Sequence, residues 1–129
     1  MDVYRKELIV SKDDLDDLNH VNNVRYVQWI QDISKEHWQH KAPTELQEEV
    51  IWVVLSHHIE YKSAAFLNDP IVMTTYIKTS TGAKSTRIVE MIHGKTQKVL
   101  VLARTEWCLL NSKTNRPIRV SDKLKDIFL

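Results

Sequence analysis

The residues best suited to chemistry crowd into one stretch, Asp14-Leu-Asp-Asp-Leu-Asn-His-Val-Asn-Asn-Val-Arg-Tyr26, where carboxylates, amide side chains and a histidine lie almost side by side. A carboxylate can deprotonate water or attack a carbonyl itself, and a histidine can orient a reacting group or move a proton. Asn22 and Asn23 are of the type that caps a helix start, where unpaired backbone N–H groups form a partly positive site suited to an oxyanion. An acid close to such amides is equipment for acyl transfer.

These groups need a scaffold, and the next residues supply one. Tyr26, Trp29, Ile30, Ile33 and His37 recur at helical spacing with Trp38 beside them, while Arg25, Gln28, Gln31, Asp32, Lys35 and Glu36 fall elsewhere on the wheel. That pattern predicts a helix with one buried stripe. Before it, Val3 to Val10 places Tyr4, Leu8 and Val10 on one side with Lys6 interrupting, a weak alternation that predicts a strand. Lys41 to Glu49 carries Pro43 and little periodicity, so it reads as a connection. Ile51, Val53, Leu55, His57, Ile59 and Tyr61 then predict a long strand whose nearly continuous apolar face is broken only by His57.

Asn68-Asp69-Pro70 is turn chemistry, and Ile71, Met73, Thr75 and Ile77 alternate after it as a third strand. Gly82 and Gly94-Lys95 punctuate two more, with Ser85, Arg87, Val89 and Met91 on one side of the first and Val101, Ala103, Thr105 and Trp107 on one side of the second. Ser121 is placed to cap a short terminal helix. The order of strand, long helix and four strands joined mostly by tight turns is an α+β arrangement with an antiparallel sheet. One helix is too narrow to cover both faces of such a sheet. Either one face is wet or a second copy of the chain shields it, and the apolar second strand favours a dimer.

Composition narrows the class. A chain of 129 residues is one domain, 1–129, and 43% apolar with 27% charged residues is ordinary for a soluble globular protein. A formal charge of +1 without a basic run argues against nucleic-acid binding. No apolar run is long enough to span a bilayer and the first residues lack a signal peptide's apolar core, so the expected location is cytoplasmic, with no membrane partner. The single cysteine, Cys108, has no intramolecular disulfide partner and reads as a buried strand residue. No Cys/His cluster has metal-site spacing.

The chain resembles the hotdog-fold thioesterases, in the branch containing 4-hydroxybenzoyl-CoA thioesterase and its long-chain acyl-CoA and acyl-carrier-protein relatives. The resemblance rests on Asp14-Leu-Asp-Asp-Leu-Asn-His-Val-Asn-Asn-Val-Arg-Tyr26, on Ile59-Glu-Tyr-Lys-Ser-Ala-Ala-Phe-Leu-Asn-Asp69 and on Asn111-Ser-Lys-Thr-Asn-Arg-Pro117. It implies a five-stranded antiparallel sheet wrapped around one long central helix, and two subunits joining sheets edge to edge as a homodimer or within a homotetramer. It also implies hydrolysis of acyl-CoA or acyl-carrier-protein thioesters without metal or redox cofactor. Asp16 matches the catalytic carboxylate, as general base or nucleophile. His20 matches a histidine found in several relatives, and Asn23 opens the helix whose backbone N–H would polarise the thioester carbonyl.

Three departures stand out, one of them the replacement by Ala64 of the Pro common after the second strand, which touches the turn more than the chemistry. Many members have Gly where this chain has Asn19, a residue that tolerates positive φ better than most. The plant acyl-carrier-protein thioesterases look similar around His-Val-Asn-Asn. Their catalytic Asn corresponds here to Leu18, however, and their Glu-Cys pair to Ala64-Ala65, so their fuller set does not carry over.

Each candidate also has a plainer reading. Asp16 would otherwise be a solvated or capping acid, and His20 a satisfied polar group tying the loop to the helix. Asn22 and Asn23 are caps first; Asn22 and Tyr26 would meet substrate as neighbours of the site. His57 is a core or interface histidine, or lines an acyl pocket across a dimer. Lys84 and Arg87 are exposed cations, or meet the phosphates of coenzyme A. The alternative to hydrolysis is a non-catalytic module of the same fold that binds acyl thioesters; a hotdog hydratase is a more distant one.

Overall fold

The computed structural model describes all residues from Met1 to Leu129. In chain order the elements are β1 (Tyr4–Ile9), a short 3-10 turn (Lys12–Asp14), α1 (Asn23–Lys41), α2 (Thr44–Glu49), β2 (Val50–Tyr61), β3 (Pro70–Thr81), β4 (Lys84–His93), β5 (Val99–Asn111) and α3 (Asp122–Phe128). The strands form one five-stranded antiparallel sheet in the order β1-β3-β4-β5-β2. The class is α+β, as the strand and helix periodicities predict.

The 19-residue α1 lays its stripe on one face of the sheet. Tyr26, Trp29, Ile30 and Ile33 pack with Ile71 and Met73 of β3, Val89 and Met91 of β4, and Val101 and Ala103 of β5. Each large apolar side chain taken from water there contributes about 1.5–3 kcal/mol, which fixes the helix on the sheet. Lys6 interrupts the inward side of β1 because its ammonium meets Glu36 of α1 at 2.7 Å. At the other end of the sheet, Val120, Leu124 and Phe128 of the C-terminal segment close a second cluster over Ile77, Leu109 and Val50. Ser121 caps α3 by accepting from the Leu124 N–H, as its position predicts.

Three features add to or correct the sequence reading. The connection after α1 contains the helix α2, which buries no residue and so leaves no apolar stripe to read. β2 and β3 are not hairpin partners: β2 pairs with β5 at one edge, and residues 62–69 cross to reach β3. The alternation of β2 also changes side at a bulge between Val54 and Ser56. Val50 and Trp52 turn inward before it and His57 and Ile59 after it, while Ile51, Val54 and Leu55 are exposed. A bulge flips every later side chain to the other face.

Candidate active site

The predicted stretch folds into a closed turn in front of α1. Leu15 and Val21 form an isolated antiparallel bridge, and Asp16 and His20 face each other beyond it, with the Asp16 N–H donating to the His20 carbonyl at 2.7 Å. Asn19 at the tip has φ +60°, the left-handed conformation that Asn accepts in place of Gly. The Asn22 N–H donates to the Asp14 carbonyl at 2.8 Å, and the Val21 N–H to the Ala65 carbonyl at 3.0 Å. The turn is therefore moored to the β2–β3 crossover, in the second stretch that carries the family resemblance.

The two acids have different surroundings. Asp14 is buried: Oδ2 accepts from the Ser11 N–H at 2.8 Å and the Ser11 hydroxyl at 3.1 Å, and Oδ1 meets Nε of Arg25 at 2.8 Å. Both carboxylate oxygens are engaged, so Asp14 ties the turn to the first turn of α1. Asp16 is half-buried and uses one oxygen only: Oδ1 accepts from the N–H groups of Leu18 (2.9 Å) and His20 (3.1 Å). Its Oδ2 has no protein donor. One oxygen orients the carboxylate while the other stays available to a water or an acyl carbon.

Asn22 is the N-cap, its side chain accepting from the Val24 N–H at 3.0 Å. The Arg25 N–H returns to the Asn22 carbonyl at 2.9 Å. That leaves the Asn23 N–H, at the head of a 19-residue helix, without an intramolecular acceptor. The His20 imidazole does not bond the Asp16 carboxylate; it packs edge-on against Phe66 with ring centroids 5.1 Å apart. Leu18, Val24, Phe66 and Leu67 are all exposed, so the turn, the helix start and the crossover present apolar side chains to whatever approaches.

The remaining candidates are dispersed. Tyr26 points into the core against Trp29 and Tyr61, and burial holds its hydroxyl above the usual tyrosine range. His57 lies on edge strand β2 opposite Thr105, half-buried, with Nδ1 sealed and unpaired; burial keeps its imidazole below the usual pKa, hence neutral. Lys84 is exposed at the start of β4. Arg87 is not: expected on the surface beside Lys84, it is buried under α1, because β4 turns it to the same side as Val89 and Met91.

There it donates from Nη1 to Nδ1 of His37 at 2.8 Å and to the Thr75 hydroxyl at 3.1 Å. Nε2 of His37 in turn meets Asp2 at 2.6 Å. Asp2 and Arg87 in one network were not visible in the sequence; the only signal was a histidine on the apolar stripe of the helix. No group of three or more His, Cys, Asp or Glu side chains is placed to hold a metal ion. No helix is long and apolar enough to cross a membrane.

Comparison with known proteins follows the same lines. Among curated proteins nothing matches. Among solved structures, a 1,4-dihydroxy-2-naphthoyl-CoA thioesterase from Synechocystis is similar with TM-score 0.83 at 12% identity, covering 98% of this chain and 95% of that one. The probable thioesterase YbaW from Escherichia coli gives TM-score 0.82 at 20% identity, covering 95% and 93%. A Staphylococcus aureus protein solved in complex with CoA gives 0.85 at 16%, covering 97% and 80%. These likenesses establish a shared fold, the hotdog arrangement. The family model described as the thioesterase-like superfamily matches residues 10–128, which takes in the turn, the helix, the crossover and every strand but the first, and the chain belongs to that superfamily.

Proposed function

We propose that the protein hydrolyses acyl-CoA or acyl-carrier-protein thioesters, with Asp16 as general base or nucleophile and the Asn23 N–H as the clamp on the thioester oxygen. The observation that carries this reading is the division of labour within Asp16: Oδ1 is pinned by two backbone N–H groups while Oδ2 is free, in the same turn that leads into an uncapped amide of α1. As the thioester carbon becomes tetrahedral its oxygen gains charge, and an amide already oriented at a helix start stabilises it without reorganisation. The family supplies the reaction class, and the solved relatives named for acyl-CoA substrates support the choice of thioester.

His20 positions the turn through its backbone and walls the site through its ring against Phe66. Asn22 holds the helix start in register. The exposed Leu18, Val24 and Phe66 suit an acyl group or a second subunit. Two copies join through the free edge of β2, where Ile51, Val54 and Leu55 are exposed, extending the sheet and bringing His57 to the seam.

The test is release of free thiol from a panel of aliphatic and aromatic acyl-CoAs by the wild type and by Asp16→Asn. The substitution keeps the Oδ1 acceptor and is expected to lower turnover 100-fold or more. Full turnover in the variant overturns the role of Asp16, and saturable binding with no hydrolysis by the wild type decides for a binding module.

A further inference from the structure

A second feature of the molecule lies away from the turn. A cleft of about 510 Å³ opens between the outer side of α1 and the sheet, walled by Trp38, Trp52 and Trp107, with Arg87 and Ser85 of β4 on its floor. That volume is in the range of small-molecule sites. Arg87 is only 5% exposed and Ser85 3%, so the floor is built into the fold rather than laid on the surface.

The guanidinium is incompletely used. Nη1 spends its hydrogens on His37 and Thr75, both neutral acceptors, and no carboxylate lies within ion-pair distance. Nε and Nη2 make no hydrogen bond within the chain and neither is completely sealed, and Arg87 lines the cleft. Asp32, an acid on the rim, is engaged by Gln28 at 2.8 Å and makes no ion pair with Arg87. Burial pushes the Arg87 pKa down to about 10, which leaves the group charged at neutral pH.

A buried charge without a counter-charge is costly, and the Nε/Nη2 edge is the fork that grips a carboxylate in two parallel bonds. The cleft's second cation, Lys35 of α1, is exposed and held in water, so the built floor offers one guanidinium, which matches the single charge of a carboxylate better than a phosphate. Three indoles around it favour a planar or aliphatic body. We propose that this cleft binds a free organic monocarboxylate with an aromatic or short aliphatic body, its carboxylate on Nε and Nη2 of Arg87. The site is separate from Asp16 and does not depend on hydrolysis there.

The experiment is calorimetric titration of the full chain with phenylacetate and hexanoate, each beside its primary amide, with the tryptophan indole N–H signals followed by NMR. The acids are expected to bind saturably, at least tenfold tighter than the amides, and to shift three of the four indole signals. Arg87→Gln should weaken acid binding tenfold or more and Arg87→Lys by less. Should removal of Arg87 unfold the chain, Gln31→Phe at the cleft rim leaves the buried network intact and should abolish binding in a folded protein. Asp16→Asn should bind as the wild type does. Equal affinity for acid and amide, no binding at millimolar concentration, equally tight binding of inorganic phosphate, or loss of binding in Asp16→Asn each overturns the proposal.

Discussion

Nε2 of His37 lies 2.6 Å from Oδ2 of Asp2, and the other ring nitrogen lies 2.8 Å from Nη1 of Arg87. Arginine can only donate, so Nδ1 of His37 accepts and the proton sits on Nε2, directed at Asp2. The imidazole is neutral in this arrangement. A second proton would aim an N–H at the guanidinium and break the link between α1 and β4. Burial, opposed by the bond to Asp2, holds the His37 pKa below its ordinary 6.5. Burial works to raise the Asp2 carboxyl, but the bonds to His37 and Lys41 prevail and hold it below 3.8.

The pH dependence of stability follows. Below pH 6.5 the unfolded chain protonates His37 before the folded chain does, so folding stability is fully present above 6.5 and declines as pH falls toward the depressed folded value. The Asp2 contribution is present above 3.8 and is lost at still lower pH. His57 adds in the same direction as His37. Urea titrations from pH 7.5 to 5 should show falling stability, and His37→Gln should flatten that fall. A wild-type profile that rises on acidification contradicts the assigned tautomer. At pH 7.5, His37→Phe should cost about 2–4 kcal/mol, because it strands both Asp2 and Arg87.

Much of this architecture can be read along the chain. The stripe of Tyr26, Trp29, Ile30 and Ile33 and the inward set Ile71, Met73, Thr75 and Ile77 are periodic, and burial follows the period. Tolerance of positive φ at Asn19 follows from side-chain chemistry alone. What stayed hidden depends on partners distant in sequence. The bulge after Val54 is set by pairing with β5, and Arg87 is buried because His37, fifty positions away, receives it. By residue type and spacing alone Asp14 and Asp16 look equivalent, and the sequence singled out Asp16 only through its match to the family motif. The mooring of Asp14 by Ser11 and Arg25 supplies the physical difference between the engaged acid and the available one.

That separation gives a second prediction. The Asp14–Arg25 pair joins the turn to α1, but Arg25 is partly solvated, so Arg25→Met should lower stability by less than about 1 kcal/mol. Turnover should suffer more, roughly 10- to 100-fold, because a small displacement of Asp16 relative to the helix start spoils the reacting geometry. Parallel denaturation and thiol-release assays separate the two effects. A variant that loses stability and keeps full turnover would show that the pair is not needed for alignment.

Asn19 supplies a third. At φ +60° a β-branched residue pays about 1–2 kcal/mol, so Asn19→Val should destabilise by that amount, while Asn19→Gly should stay within about 0.5 kcal/mol of the wild type. Because the Asp16 N–H and Oδ1 both close on this turn, Asn19→Val should also lower turnover and Asn19→Gly should preserve it. Equal stability of the two variants contradicts the left-handed turn.

The edge strand gives the last. β2 runs for twelve residues and pairs on one side only, with Ile51, Val54 and Leu55 exposed along it. A long unpaired edge with apolar side chains is a template for another strand, and the proposed dimer would shield it with a second copy in antiparallel register. Sedimentation of the wild type at micromolar concentration should give a dimer or a multiple of it. Placing charges at the seam with Val54→Lys and Leu55→Lys should yield a folded monomer, and turnover should fall with assembly if the partner completes the acyl site. A monomeric wild type, or a doubly charged variant that remains dimeric, places the contact elsewhere than β2.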